Sequence, residues 1–249
     1  MTALLAVAHG SRVREHATTI RRLVAAVRRA RPGLDVDAAF LELSEPGVGD
    51  AVDRLGRRGH RDIVVVPLLL GAAYHSSVDL PAQLELAGSR SARGRITQAA
   101  VLGPDELLRA TVERRLREAG ARRGSPESGV VVVGAGSSNP DAVRPVRQLA
   151  HDLERRGWGP ALAAFASSAE PTPAAAVATL RARGLAHVTI APYLLAPGRF
   201  SGELQDAGAD AVAAPLADAP EVVELLLRRF DAAAAGSGEY ASRAVAVGA

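Results

Sequence analysis

The strongest constraint on what this chain can fold into is that its second half repeats its first at a nearly constant spacing. LLAVAHGSR (Leu4 to Arg12) returns as GVVVVGAGSSNP (Gly129 to Pro140), with Ser137 standing 126 residues after Ser11. FLELSEP (Phe40 to Pro46) returns as FASSAEP (Phe165 to Pro171), 125 residues on. IVVVPLLLGAAYHS (Ile63 to Ser76) returns as VTIAPYLLAPGRFS (Val188 to Ser201), with Pro192 again 125 residues after Pro67. APEVVELLLRRF (Ala219 to Phe230) resembles GPDELLRATVERRL (Gly103 to Leu116). Registers that agree within one residue predict two lobes of one design.

Each repeat reads as alternating strands and helices. An apolar run from Leu4 to Ala8 breaks on His9-Gly10-Ser11-Arg12, and a helical stretch follows from about Arg14 to Arg31 until Pro32-Gly33 stops it. Leu34 to Leu41 reads as a second strand that runs into Glu42-Leu43-Ser44-Glu45-Pro46. Pro46 suits the first turn of a second helix, with Ser44 or Glu45 near its cap and an end near Arg58. Asp62 to Leu70 is rich in valine and leucine without alternation, as a parallel strand buried on both faces should be. A loop from Gly71 to Ser77, a helix at about Val78 to Leu86, a strand at Ile96 to Leu102 and a helix to about Glu118 complete the lobe. The expected class is α/β: two similar Rossmann-like lobes, each a four-stranded parallel sheet flanked by helices. The expected division is a lobe at 1–120, a linker at 121–129 (ARRGSPESG), a second lobe at 130–233 and a frayed tail at 234–249.

Composition removes several function classes. Hydrophobic residues make up 48% of the 249, enough for a proper core. Every basic residue is arginine and the net charge is only +3, so the arginines are weak evidence for phosphate recognition. Aromatic residues are 3%, which leaves few platforms for stacked bases and argues against nucleic acid. Cysteine is absent, which excludes disulfides and thiolate metal sites. The longest apolar run, Ile63 to Tyr74, is shorter than the ~20 residues of a membrane helix and contains Pro67. No signal peptide is read at the N-terminus, so a soluble, cytoplasmic protein is expected.

Three strands of the first lobe are expected to end in His9, Glu42 and His75. Parallel strands carry their ends to one edge of the sheet, where open α/β sheets bind ligands. Two neutral imidazoles and a carboxylate make a nitrogen and oxygen site for a divalent first-row metal, with positions left for an exchanging ligand. The same groups can accept protons. In the second lobe the equivalents are Ala135, Ser167 and Phe200, while Gly136, Ser137, Glu170, Pro171 and Pro192 persist. Joint loss of all three candidate ligands reads as one intact site and one degenerate copy.

AHGSR at the first strand, FLELSEP at the second, and VVVPLLL followed by YHSSVDLP at the third resemble the long-form class II chelatases acting on sirohydrochlorin, of sirohaem and cobalamin synthesis. The resemblance covers residues 1–230. It implies insertion of a divalent metal (Fe2+, Co2+ or Ni2+) into a tetrapyrrole held with it in a cleft between two lobes. On the family pattern His9 and His75 bind metal and accept protons, and Glu42 is the supporting carboxylate. Gly10, Ser11, Arg12, Tyr74 and Ser76 are the implied substrate contacts. No organic cofactor is implied, and the expected state is a monomer whose lobes form an intramolecular pseudo-dimer. Ala8 departs from the pattern, which more often has glycine there, and the loop before His75 lacks the extra histidines of some cobalt-associated members.

Blander readings stand beside these. Gly10 and Ser11 read first as residues that shape the turn; Gly10 also permits a close backbone approach and Ser11 can cap the following helix. Arg12 and Arg14 are forked donors for substrate carboxylates or solvated helix-start residues. His16, His60, His151 and His187 read as structural or surface residues without partners. Glu45 and Glu170 occur in both lobes and read as helix caps, and Arg21-Arg22 and Arg28-Arg29 as a solvated face. Two other functions use the same residues. A phosphate-handling enzyme would need arginines converging on His9 and leaves Glu42 and His75 unexplained. A non-catalytic metal carrier would bind metal without turning over a tetrapyrrole.

Overall fold

The computed structural model describes residues 2–71, 79–90 and 95–236. The chain divides into two compact units, one formed by the chain up to Gly103 and again from Pro220, the other by Pro104–Ala219.

In the first unit, β1 (Thr2–Ala8), β2 (Val36–Phe40), β3 (Asp62–Pro67) and β4 (Arg95–Gln98) form a parallel sheet in the order β2-β1-β3-β4. The helices are α1 (Arg14–Ala30), α2 (Val48–Arg57), α3 (Leu80–Arg90) and, from the end of the chain, α8 (Pro220–Ala234). β1 lies between β2 and β3, with Ala8 opposite Phe40 and Val7 opposite Pro67. Its unbroken apolar run follows from that place, because helices cover both of its faces. Leu5 and Val7 pack with Ala51, Val52 and Leu55 of α2 and Leu80 and Leu84 of α3. Leu4 and Ala6 point to the opposite face by the period of two and are also fully buried. There α1 meets β2 and α8, its buried stripe running through Ile20, Leu23, Val24 and Val27.

The second unit repeats this order as β6-β5-β7-β8, from β5 (Ser128–Gly134), β6 (Ala161–Phe165), β7 (His187–Pro192) and β8 (Ala211–Val212). Its helices are α4 (Glu106–Glu118), α5 (Pro140–Arg155), α6 (Pro173–Ala182) and α7 (Ser201–Gln205). Two all-parallel four-stranded sheets flanked by helices are the fold class that the repeat predicts.

The division of the chain differs from the contiguous one expected from the sequence. α4, which follows β4, belongs to the second unit and packs on β7, whereas α8 returns to the first and packs on β3, β4 and α1. Residues 121–129 therefore lie inside the second unit. Arg31 at the end of α1 donates to both carboxylate oxygens of Asp231 on α8, one at 2.8 Å, and lies 5.9 Å over the Phe230 ring. Arg229 donates to the Val101 and Leu102 carbonyls at 2.9 and 3.0 Å. Because α4 and α8 are repeat partners with similar apolar stripes, periodicity cannot say which sheet each covers.

The remaining differences are at element ends. The second, third and fourth strands are shorter than their apolar runs, since the residues after Phe40, Pro67 and Gln98 leave the sheet for the loops beyond it. The residues from Ala72 to Val78 and the expected tail beyond Gly236 lie outside the described residues. Among the described residues no helix is long and apolar enough to cross a membrane.

Candidate functional site

β1 is where the sheet's winding reverses: the chain steps from β1 to β2 on one side and to β3 on the other. The carboxyl ends of strands flanking such a point leave a crevice that ligands use. His9 is the first residue beyond β1, and Glu42 lies two residues beyond β2.

Backbone pairing carries both residues into register past the strand ends. Leu41 N donates to Ala8 O at 2.9 Å and Glu42 N to His9 O at 3.0 Å. Gly10 follows with φ +100°, and a Cβ there would lie 1.7 Å from Glu42 O. Only glycine permits the two loops to close this far. The outcome is that His9 Nδ1 stands 3.4 Å from Glu42 Oε1, with the side chains 37% and 54% exposed. A carboxylate at this distance can orient the imidazole through Nδ1 or share a cation with it. Their exposure leaves both accessible from solvent.

The next residues tie the loops together. Ser44 Oγ donates to Ser11 O at 3.0 Å and accepts from Ser11 N at 3.2 Å. Ser11 Oγ accepts from Val13 N at 3.1 Å, which shapes the turn before α1, and the helix has no side-chain cap at Val13. Ser11 is therefore the turn residue expected from the sequence rather than a helix cap. Ser44 is a part of the site that sequence reasoning placed at a helix start. α2 begins at Val48 with Gly47 as a cap that offers no side-chain bond, and Pro46 precedes both. Glu45 is no cap either; its carbonyl accepts from Arg21 at 3.0 Å, and Arg21 stays exposed on the solvated face expected of it. Glu170, its repeat partner, accepts from Thr172 N at 3.0 Å, while Thr172 caps α6. Between Glu42 and Ser44, Leu43 adopts φ 59° with its side chain pointing outward, 52% exposed. A left-handed leucine costs roughly 1–2 kcal/mol.

Arg12 and Arg14 are exposed beside this loop. His16, on the first turn of α1, is half-buried, a structural histidine as expected. Its ring is 6.3 Å from that of Phe40, and its Nδ1 is buried without a hydrogen-bond partner. Burial lowers its pKa from the ordinary histidine value, and the nearby His9 adds to the effect. His60, by contrast, has a partner, Asp35, with Nε2 2.8 Å from Oδ2. Burial works to raise the Asp35 pKa, but the hydrogen bond from His60 and the charge of Arg58 leave it below the ordinary value. His187 and His151 are exposed, as expected.

Tyr74, His75 and Ser76, the remaining candidates, lie outside the described residues. Among the described residues no cluster of three or more histidine, cysteine or acidic side chains could hold a metal.

The second unit keeps the scaffold and lacks the donors. Ala166 N donates to Gly134 O at 3.0 Å, and a Cβ on Gly136 would lie 1.7 Å from Ser167 O. Ala135 occupies the place of His9, and the Ser167 hydroxyl, in the place of Glu42, donates to Ala135 O at 3.0 Å. Phe200, in the place of His75, precedes α7 with the Arg199 guanidinium 4.6 Å over its ring. Ser44, too, is replaced, by Ala169.

Comparison with known proteins gives a consistent picture. The CbiX family model matches residues 3–119 and 129–233. A sirohydrochlorin ferrochelatase of Priestia megaterium is 29% identical over 210 residues, 83% of this chain and 77% of that protein. A sirohydrochlorin cobaltochelatase of the same organism is 27% identical over 210 residues, 83% of this chain and 68% of that protein. The structure of SirB from Bacillus subtilis with Fe3+ aligns with a TM-score of 0.79 at 26% identity, over 95% of this chain and 96% of that one.

Proposed function

The chain belongs to the CbiX family, and from that premise we propose that it is a chelatase (a lyase) that inserts a divalent metal, iron or cobalt, into sirohydrochlorin. The observation that carries the reading is the approach of His9 Nδ1 to Glu42 Oε1, 3.4 Å apart at the switch point of the first sheet, where the second sheet has alanine and serine. The relatives named for iron and for cobalt insertion support the metal range, and nickel stays within the chemistry of such a donor set.

The reaction exchanges two pyrrole N–H protons of the metal-free macrocycle for one divalent cation. His9, Glu42 and His75 would hold the arriving metal on one face of the ring, shedding its water as ring nitrogens replace it. Neutral imidazole is the form that binds metal and takes up a proton, so each histidine can serve in both capacities as the metal leaves it. Glu42 keeps the His9 ring oriented and offsets the charge of the cation. Arg12 and Arg14 stand where they can meet carboxylates on the rim of the ring. These steps need side chains, metal and ring alone, with no organic cofactor.

Anaerobic incubation of the protein with sirohydrochlorin and Fe2+, Co2+ or Ni2+, followed by absorbance, tests the reading. Metal insertion well above the protein-free rate with at least one metal is expected. Binding of metal with no acceleration would mean that the chain is a carrier.

A further inference from the structure

We infer that Leu43 is the face on which the macrocycle rests beside Glu42, a substrate-positioning contact held out by the backbone. The inference rests on the chelatase reading. Leu43 sits in the left-handed region at φ 59°, where leucine is disfavoured and glycine or asparagine are at ease. Its side chain is 52% exposed, among the few large apolar side chains so exposed in the described residues. Among the described residues nothing in the packing of the first unit accounts for a leucine there: it pays in backbone strain and returns little burial.

The turn itself is scaffold. Ser168, the repeat partner of Leu43, has φ 54° in the unit that lacks the ligands. The fold thus requires a left-handed residue at this corner and is content with serine. Apolar identity at the corner appears only in the unit that carries His9 and Glu42. Both neighbours of Leu43 are clamped, Glu42 against Gly10 and Ser44 against the backbone of Ser11. The corner is thus held on both sides of Leu43, whose exposed side chain stands one residue from the carboxylate. A tetrapyrrole is a broad conjugated ring with carboxylates at its rim. Its face needs an apolar contact to shed water beside a metal site that is otherwise all charge and hydrogen bonds. An exposed leucine next to the carboxylate supplies that contact, and its side chain becomes buried only when the ring is bound.

The experiment compares the wild-type chain with Leu43→Asn and Leu43→Met. Asparagine suits the left-handed backbone and removes the apolar contact, whereas methionine keeps the contact. Binding of metal-free sirohydrochlorin, read by its own absorbance and fluorescence, should weaken about tenfold in Leu43→Asn and stay within twofold of wild type in Leu43→Met. KM should rise with little change in kcat. Cobalt binding measured alone should be unchanged, and the melting temperature of Leu43→Asn should equal or exceed that of wild type. Sirohydrochlorin binding within twofold of wild type in Leu43→Asn overturns the inference while the chelatase reading stands. So does a loss of binding in both variants that tracks a falling melting temperature, or a wild-type dimer that Leu43→Asn converts to monomer. A wild-type chain that neither binds nor metallates sirohydrochlorin overturns the chelatase reading, and the inference with it.

Discussion

Gly10 and Glu42 approach so closely that a methyl group on Gly10 would stand 1.7 Å from the Glu42 carbonyl oxygen. The contact joins the loops after β1 and β2 into one piece, with His9 on one side of it and the Glu42 carboxylate on the other. The same contact between Gly136 and Ser167 in the second unit, at 1.7 Å, shows that it belongs to the scaffold. In the first it carries a histidine and a carboxylate, in the second an alanine and a serine.

Gly10→Ala should therefore be among the most damaging single changes at the site. Alanine is strained at φ +100°, and its methyl would force the two loops apart. A loss of at least about 2 kcal/mol is expected from a strained residue and a backbone clash together. Urea denaturation measures it, and a variant as stable as wild type would show that the loops adapt freely.

His9→Ala and Glu42→Gln test the donors themselves. Both side chains are partly exposed and add little packing, so stability should change by no more than about 0.5 kcal/mol. Metal insertion should fall about a hundredfold or more in His9→Ala, the scale of losing a proton acceptor. In Glu42→Gln the fall should be smaller, because an amide can still orient the imidazole. Rates within a few-fold of wild type in His9→Ala would place the chemistry elsewhere.

Ser44→Ala separates loop positioning from ligation. It removes the two bonds between Ser44 Oγ and the Ser11 backbone, 3.0 and 3.2 Å long, at a cost of about 1–2 kcal/mol. Metal insertion should drop severalfold without loss of any donor. An unchanged rate, measured below the melting transition, would mean that the loops hold their places without this pair.

Much of this arrangement was legible in the chain, for identifiable reasons. The repeat located both sheets, because parallel strands buried on two faces leave apolar runs that survive divergence. It also singled out His9 and Glu42, whose repeat partners changed while Gly136 stayed. The destinations of α4 and α8 were not legible, since two helices of like pattern fit either sheet. Nor were the roles of Ser44, Glu45 and Arg21. The Ser44 hydroxyl bonds the Ser11 backbone and the Arg21 side chain the Glu45 carbonyl, and only the folded register of β1 and β2 brings those atoms near. Of His16 only its structural nature was legible, since its environment depends on how α1 lies along Phe40.

His16 gives the protein an acid-sensitive term distinct from its carboxylates. Burial, reinforced by His9, depresses its folded pKa below the ordinary value. As pH falls below ~6.5, the unfolded chain takes up a proton there that the folded chain does not, so stability declines. Asp231 behaves differently. The hydrogen bond from Arg31 lowers its pKa, so its contribution is complete above ~4 and is lost only as pH falls through its folded pKa. Urea midpoints at pH 7.5 and 5.5 should thus fall in wild type and fall less in His16→Leu. Equal losses in the two would mean that His16 titrates alike folded and unfolded.

The asymmetry of the two units yields the last prediction. On the proposed ligand set, which lies in the first unit alone, one cobalt ion should bind per chain in anaerobic calorimetry, and His75→Ala should weaken it strongly. Phe200→His alone should add no site, because Ala135 and Ser167 offer no donor at the other two corners. Ala135→His, Ser167→Glu and Phe200→His together restore the donor set, yet binding should remain weak. Glutamate at 167 loses the hydroxyl bond to Ala135 O, and the Arg199 guanidinium lies 4.6 Å over the ring at 200, where it would repel an arriving cation. The first unit has Tyr74 in the place of Arg199. Adding Arg199→Tyr to the triple variant should therefore tighten the second site by removing that charge. Two equal sites in the wild-type chain would contradict the division of labour. A triple variant that binds cobalt as tightly as the first site would contradict the part assigned to Arg199.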